Sequence, residues 1–255
     1  MKRILLAALI AVLVLSASFA AKADGEESVP FLLYHSVLKD YSVGTDALLH
    51  ISEDNFIQHM QALKDAGYNT VTLDEYYDYV NKGTPLPAKP IVLCFDDGYL
   101  NNYENAYPVL KEMGMRATIF VIASRMGSRT VEFPHFDWQQ AIEMEQSGVI
   151  DIESHSLTHP SFSELTYAET VKEMRISKYL IEKNMNKECR YMAYPYGFTN
   201  DFSADIGMAA GYKMLCIVGN NGVNGKMADL TQLKRLNVSG DMTADILMQY
   251  IESNY

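Results

Sequence analysis

The stretch IVLCFDDGYLNNY, residues 91–103, begins as an apolar run and then sets two carboxylates side by side ahead of a glycine. An apolar run of this length, bounded by a turn signal, reads as a strand buried on both faces, the kind that parallel sheets contain. Side chains alternate along a strand, so Asp96 and Asp97 can share a direction only if the backbone turns, and Gly98 permits that turn. Taken alone the motif is a polar strand end before a helix. The rest of the chain decides between that reading and a chemical one.

Outward from this stretch the same grammar repeats. Four helix-like segments end in glycine (Gly67, Gly114, Gly148 and Gly211), and a β-rich run follows each. A glycine there suits a left-handed helix C-cap. Further strands are expected over 29–35, 91–95, 189–194 and 233–238, with helical patterns between most of them. Thr72-x-x-Glu75 and Thr166-x-x-Glu169 are capping boxes, and Val171, Met174, Ile181 and Met185 mark one buried face of the helix after Leu165. About seven strands alternating with helices argue for a parallel α/β sheet, closed or nearly closed as a barrel. Active sites in such barrels lie at the C-terminal strand ends. His35, Asp96, Asp97, His155, His159 and the PYG turn at 195–197 all follow expected strands.

The 255 residues, 48% hydrophobic, suffice for one large domain. Residues 1–23 read as a secretory signal peptide: Lys2 and Arg3, an apolar run from Ile4, then Ala21-Lys22-Ala23, which favours cleavage after Ala23 over retention of the run from Ile4 to Ala21 as a membrane anchor. This places a mature domain at 24–255, outside the cytoplasm, secreted or on the cell surface, with no stable membrane span after cleavage. The chain carries 21 basic and 32 acidic residues, a net charge of −11. Such acidity argues against nucleic acid as a partner. Three cysteines, Cys94, Cys189 and Cys216, cannot all pair with one another. Cys94 reads as a small core residue, and a Cys189 to Cys216 bridge is left open.

His155 and His159, spaced H-x-x-x-H, can share one metal ion, and Pro160 disfavours a helical backbone at His159. With one carboxylate from another strand end they make a divalent site with open positions, suited to Zn²⁺ or to non-haem iron. CFDDG (94–98), HSLTH (155–159) and YPYG (194–197), in this order and preceded by FLLYHSV (31–37), resemble the polysaccharide deacetylases with a NodB-homology domain, carbohydrate esterase family 4. The resemblance implies a distorted (β/α)7 barrel in a single domain. It also implies metal-dependent removal of N-acetyl groups from N-acetylglucosamine residues of a polysaccharide or peptidoglycan. Carried across, Asp96 is the general base, and Asp97, His155 and His159 hold the ion, Zn²⁺ ahead of Co²⁺, Ni²⁺, Mn²⁺ or Fe²⁺.

Two departures stand out. The family usually has an arginine where this chain has Ala193, and no histidine follows His159 to serve as the acid. In a subgroup that includes exported poly-N-acetylglucosamine deacetylases the acid motif lies on the first strand, and LLYH resembles it, so His35 is expected to be the acid. Arg235 is the candidate replacement partner for Asp96, the Tyr196 backbone N–H the oxyanion donor, and Asp137, Trp138 and Tyr196 the sugar contacts. His50 and His59 read as structural or exposed, and His135 is compatible with a place near the site but is not assigned to it. An O-acetyl esterase of xylan type and a glycan-binding protein without catalysis are the alternatives.

Overall fold

The computed structural model describes residues 28–41, 46–129, 133–219 and 222–254, so the expected leader over residues 1–23 lies outside the described residues. The strands are β1 (Val29–Tyr34), β2 (Ser36–Leu38), β3 (His50–Ser52), β4 (Asn69–Thr70), β5 (Pro90–Phe95), β6 (Ala117–Val121), β7 (Ile150–Ser154), β8 (Tyr191–Ala193), β9 (Met214–Val218), β10 (Val223–Asn224) and β11 (Leu233–Asn237). The helices are α1 (Glu53–Asp65), α2 (Leu73–Lys82), α3 (Tyr107–Met113), α4 (Trp138–Gln146), α5 (Tyr167–Met185), α6 (Ser203–Ala209) and α7 (Ala244–Asn254). Strands β1, β5, β6, β7, β8, β9 and β11 pair in parallel, and β1 bonds both β5 and β11, which closes a seven-stranded barrel. The expected (β/α)7 architecture is therefore present.

Alternation along each strand separates two apolar layers. Phe31, Leu33, Val92, Cys94, Phe120 and Cys216 fill the barrel interior. Leu32, Leu93, Phe95, Ile119 and Ile152 belong to the second cluster, which packs the strands against the helices. Helix α2 adds Leu73, Tyr76 and Tyr79 to the interior cluster, with Tyr76 edge-on to Phe31 at 4.9 Å. It covers the end of the barrel where the strands begin and leaves the other mouth for chemistry.

Local signals mostly hold. Both threonine capping boxes form, and the four expected glycines take positive φ. The run after Gly67 yields only the two-residue β4, because Val71 turns into the core and Thr72 starts α2. All three cysteines are free and buried. Cys189 packs in the outer layer and Cys216 inside the barrel, so the sheet separates them and no bridge forms. Among the described residues, no helix is long and apolar enough to cross a membrane.

Gly98 sits at φ +79, and a Cβ there would lie 3.0 Å from Val121 Cγ1. Gly98→Ala is expected to lose about 1–3 kcal/mol of stability, measurable by denaturant unfolding. A variant as stable as the parent would show that this turn carries no such constraint.

Candidate active site

Strand β5 brings both carboxylates to the open mouth. Asp96 keeps the inward parity of Val92 and Cys94, and its N–H still bonds the Tyr34 carbonyl of β1 at 3.1 Å. The turn expected at Gly98 begins one residue earlier, since Asp97 itself adopts φ +73. Two successive left-handed residues re-aim Asp97 so that neighbours in sequence serve one cavity. Ser156, His159 and Tyr196 also have positive φ, at 69°, 69° and 61°. Such backbone strain in non-glycine residues concentrates where the surrounding structure enforces it, commonly at functional sites.

Arg235, fully buried on β11, grips Asp96 with both ends of its guanidinium: Nη1 to Oδ1 at 2.6 Å and Nη2 to Oδ2 at 2.8 Å. Its Nε donates to the Ile217 carbonyl at 3.3 Å, and its guanidinium lies over the Phe120 ring. Burial opposes ionisation of Asp96, but the charge and hydrogen bonds of Arg235, together with the imidazoles of His155 and His35, outweigh it and hold the carboxyl below the usual range. The positive charge beside Asp96 thus comes from β11, while position 193 contributes only backbone.

Asp97, His155 and His159 offer ligand atoms that all lie within 4.8 Å of one another. His159 Nε2 is 3.2 Å and His155 Nε2 3.7 Å from Asp97 Oδ1. His155 Nδ1 lies 2.8 Å from the Ala193 carbonyl, to which it donates, leaving the Nε2 lone pair to face the carboxylates. Asp97 Oδ1 is buried with no hydrogen-bond partner. An anionic oxygen and two imidazole nitrogens converging in this way fit a divalent cation. Burial alone would raise the Asp97 pKa, yet the imidazoles of His159, His155 and His35 pull it below the ordinary value; burial pushes His155 down to about 4.

His35 follows β1 at the same mouth, close enough to Asp96, Asp97, Arg235 and His159 to feel their charges. Its enclosed Nδ1 has no partner. The asparagines of NNYEN hold this segment: Asn102 donates to the His35 carbonyl at 2.6 Å, Asn101 to Ser36 Oγ at 2.8 Å, and Asn105 to the Val37 carbonyl at 2.7 Å. Residues 102–106 form a π-helical turn, a feature frequent at functional sites.

The profile of a known family, described as polysaccharide deacetylase, matches residues 83–215. The Bacillus subtilis protein YxkH is 33% identical over 232 residues, which cover 91% of this chain and 79% of that one. The chain belongs to the polysaccharide deacetylase family. A Staphylococcus epidermidis relative named poly-β-1,6-N-acetyl-D-glucosamine N-deacetylase is 31% identical over 64% of this deacetylase and 57% of that enzyme. The solved structure of the Streptococcus pyogenes deacetylase PplD, in complex with acetate, superposes with a TM-score of 0.79 at 26% identity, over 89% of this chain and 99% of that one.

Other expected positions are scattered. The exposed Tyr196 borders the triad, its ring edge-on to His159 at 4.7 Å. Asp137 caps helix α4 through the Gln140 N–H, and Trp138 packs against the core, which ties both to the scaffold. His59 is structural in this deacetylase, bonded to Tyr34 and to the Met242 carbonyl. Sequence reasoning missed Glu173, whose carboxylate accepts from the N–H groups of Leu157 and Thr158 at 3.0 and 2.8 Å and from Thr158 Oγ1 at 2.7 Å. It anchors the loop that carries both histidines. His135 was also left out, yet it lies near Asp97 and His159. The available signal was its place in the segment after β6, at the same mouth.

Removing Arg235 would leave Asp96 as an uncompensated buried charge, so Arg235→Met is expected to cost about 3–5 kcal/mol at pH 7. The sign with pH follows from Asp96, whose folded pKa lies below the unfolded value. Its stabilisation is present above the unfolded value and lost as pH falls through the folded one. Without Arg235 burial dominates and raises that pKa, so the variant's deficit shrinks on acidification. Denaturant unfolding at pH 7 and pH 5 measures this, and a constant deficit would contradict it.

Proposed function

We propose that this deacetylase is an exported, divalent-metal-dependent amidohydrolase that removes N-acetyl groups from N-acetylglucosamine residues of a polysaccharide or of peptidoglycan. The observation that carries the reading is the division of the two adjacent carboxylates. Asp96 is locked ionised by Arg235, while Asp97 turns an unpartnered oxygen toward two imidazoles. The named substrate of the staphylococcal relative supports the polymer class, and the acetate held by PplD is the acid such hydrolysis releases. The leader-like residues 1–23 support export to the cell surface or beyond.

Asp97, His155 and His159 would hold the ion, with Zn²⁺ first among those that one carboxylate and two imidazoles accept. When bound it supplies Lewis-acid polarisation of the acetyl carbonyl and a lower pKa for water. Asp96 takes a proton from the attacking water, its lone pairs held in place by the guanidinium. The Tyr196 main-chain N–H is the donor we assign to the carbonyl oxygen as it gains charge. His35 delivers a proton to the amine nitrogen as the C–N bond breaks. Burial disfavours the imidazolium and so makes it a stronger acid, while Asp96 and Asp97 offset part of that loss. The proton on Asp96 then leaves to solvent and His35 is reprotonated for the next cycle.

The test is acetate release from N-acetylglucosamine oligomers by chelator-stripped protein before and after divalent ions are restored. Activity is expected only in the restored sample. Asp96→Asn and His35→Ala should each lower kcat by about 10²–10⁴-fold with metal content unchanged. Absence of acetate with every divalent ion would defeat the reading, and loss of metal in Asp96→Asn would exchange the roles of the two aspartates.

A further inference from the structure

His135 is a buried imidazole, 1% exposed, and neither ring nitrogen has a hydrogen-bond partner. Buried polar atoms are nearly always satisfied, and leaving one unpaired is destabilising, so two on one ring call for an explanation. The backbone around it is fixed: the His135 N–H donates to the Ser128 carbonyl at 3.0 Å, and Arg129 donates to the His135 carbonyl at 2.6 Å.

The ring's direction follows from its partner. Tyr99 and His135 form an antiparallel bridge, and residues paired across a bridge project to the same face. The two rings are 5.3 Å apart, and the Tyr99 hydroxyl reaches the Asp97 carboxylate. Tyr99 therefore points into the cavity, and His135 lies beside it. Beyond them Phe133 stands edge-on to Tyr99 at 5.8 Å and 4.8 Å from His50, continuing a wall of rings. An aromatic wall with a polar edge suits a pyranose, which has a C–H face and hydroxyls at its rim.

We infer that His135 hydrogen-bonds a hydroxyl of the sugar that carries the acetamide, with the Tyr99 ring beside it as an apolar face. This rests on the deacetylase reading and assigns a residue that specifies the sugar. Burial keeps the imidazole neutral, with one donor and one acceptor, the pair a hydroxyl can complement. The ligand atoms of the Asp97 triad do not include it, which separates sugar recognition from metal binding.

Binding and turnover together test the inference. In metal-loaded Asp96→Asn protein, where turnover is blocked, His135→Phe is expected to weaken binding of an N-acetylglucosamine oligomer about tenfold by calorimetry. His135→Gln, which keeps a donor and an acceptor, should recover part of it. In the Asp96 parent, His135→Phe should lower the ratio of oligomer to 4-nitrophenyl acetate kcat/KM about tenfold, through KM, with metal content unchanged and the melting temperature no lower. Equal oligomer binding by parent and His135→Phe would overturn the inference. So would a joint loss of metal or fold in both His135 variants. If the parent binds the oligomer and releases no acetate, the deacetylase reading fails while the His135 comparison still stands; a parent that does neither overturns both.

Discussion

The structure depends on one buried ion pair. Arg235 and Asp96 meet inside the mouth of a barrel whose interior is otherwise filled by rings, aliphatic chains and two thiols, and each needs the other to be there at all. A lone charge in such a place would cost several kcal/mol, whereas here every guanidinium nitrogen has a partner. The pair also spans β1, since Asp96 follows β5 and Arg235 lies on β11, the two parallel neighbours of that strand. It is thus both a lock on the barrel and the device that keeps a carboxylate ionised away from water.

Around this fixed point the site is assembled from loops that are each held by side chains from elsewhere. Glu173 on α5 grips the loop between the two histidines, and three asparagines following β5 grip the segment after His35. The Ala193 carbonyl sets the tautomer of His155. These supports explain how left-handed backbone at Asp97, Ser156, His159 and Tyr196 persists in one small region. Precision in the cavity comes from hydrogen bonds one layer out.

Much of this was legible in the sequence because it obeys local rules. Strand ends, capping boxes and glycine C-caps follow from periodicity and turn chemistry, and the placement of polar residues after strands located the open mouth. What escaped depended on distance or on a choice that alternation leaves open. Glu173 is a charged residue on the buried side of α5, invisible to a pattern that counts apolar positions. His135 gains its surroundings only when its segment folds back against Tyr99. The two cysteines could be declared unpaired only once they were seen on opposite sides of the sheet. The contact between Arg235 and Asp96 was named from sequence as a replacement partner, although LKRLNV offers two cations; Lys234 is exposed and Arg235 buried.

The ion pair joins residues 139 positions apart, and β11 is the last strand of the chain. Contacts of such sequence separation form late, because loop-closure entropy opposes them until most of the chain is in place. Before β11 docks, a nascent chain can already carry Asp97, His155 and His159, yet Asp96 would have no counter-charge and the barrel would stay open beside β1. The charge state of Asp96 is therefore a property of the completed ring, set by the last strand of the chain.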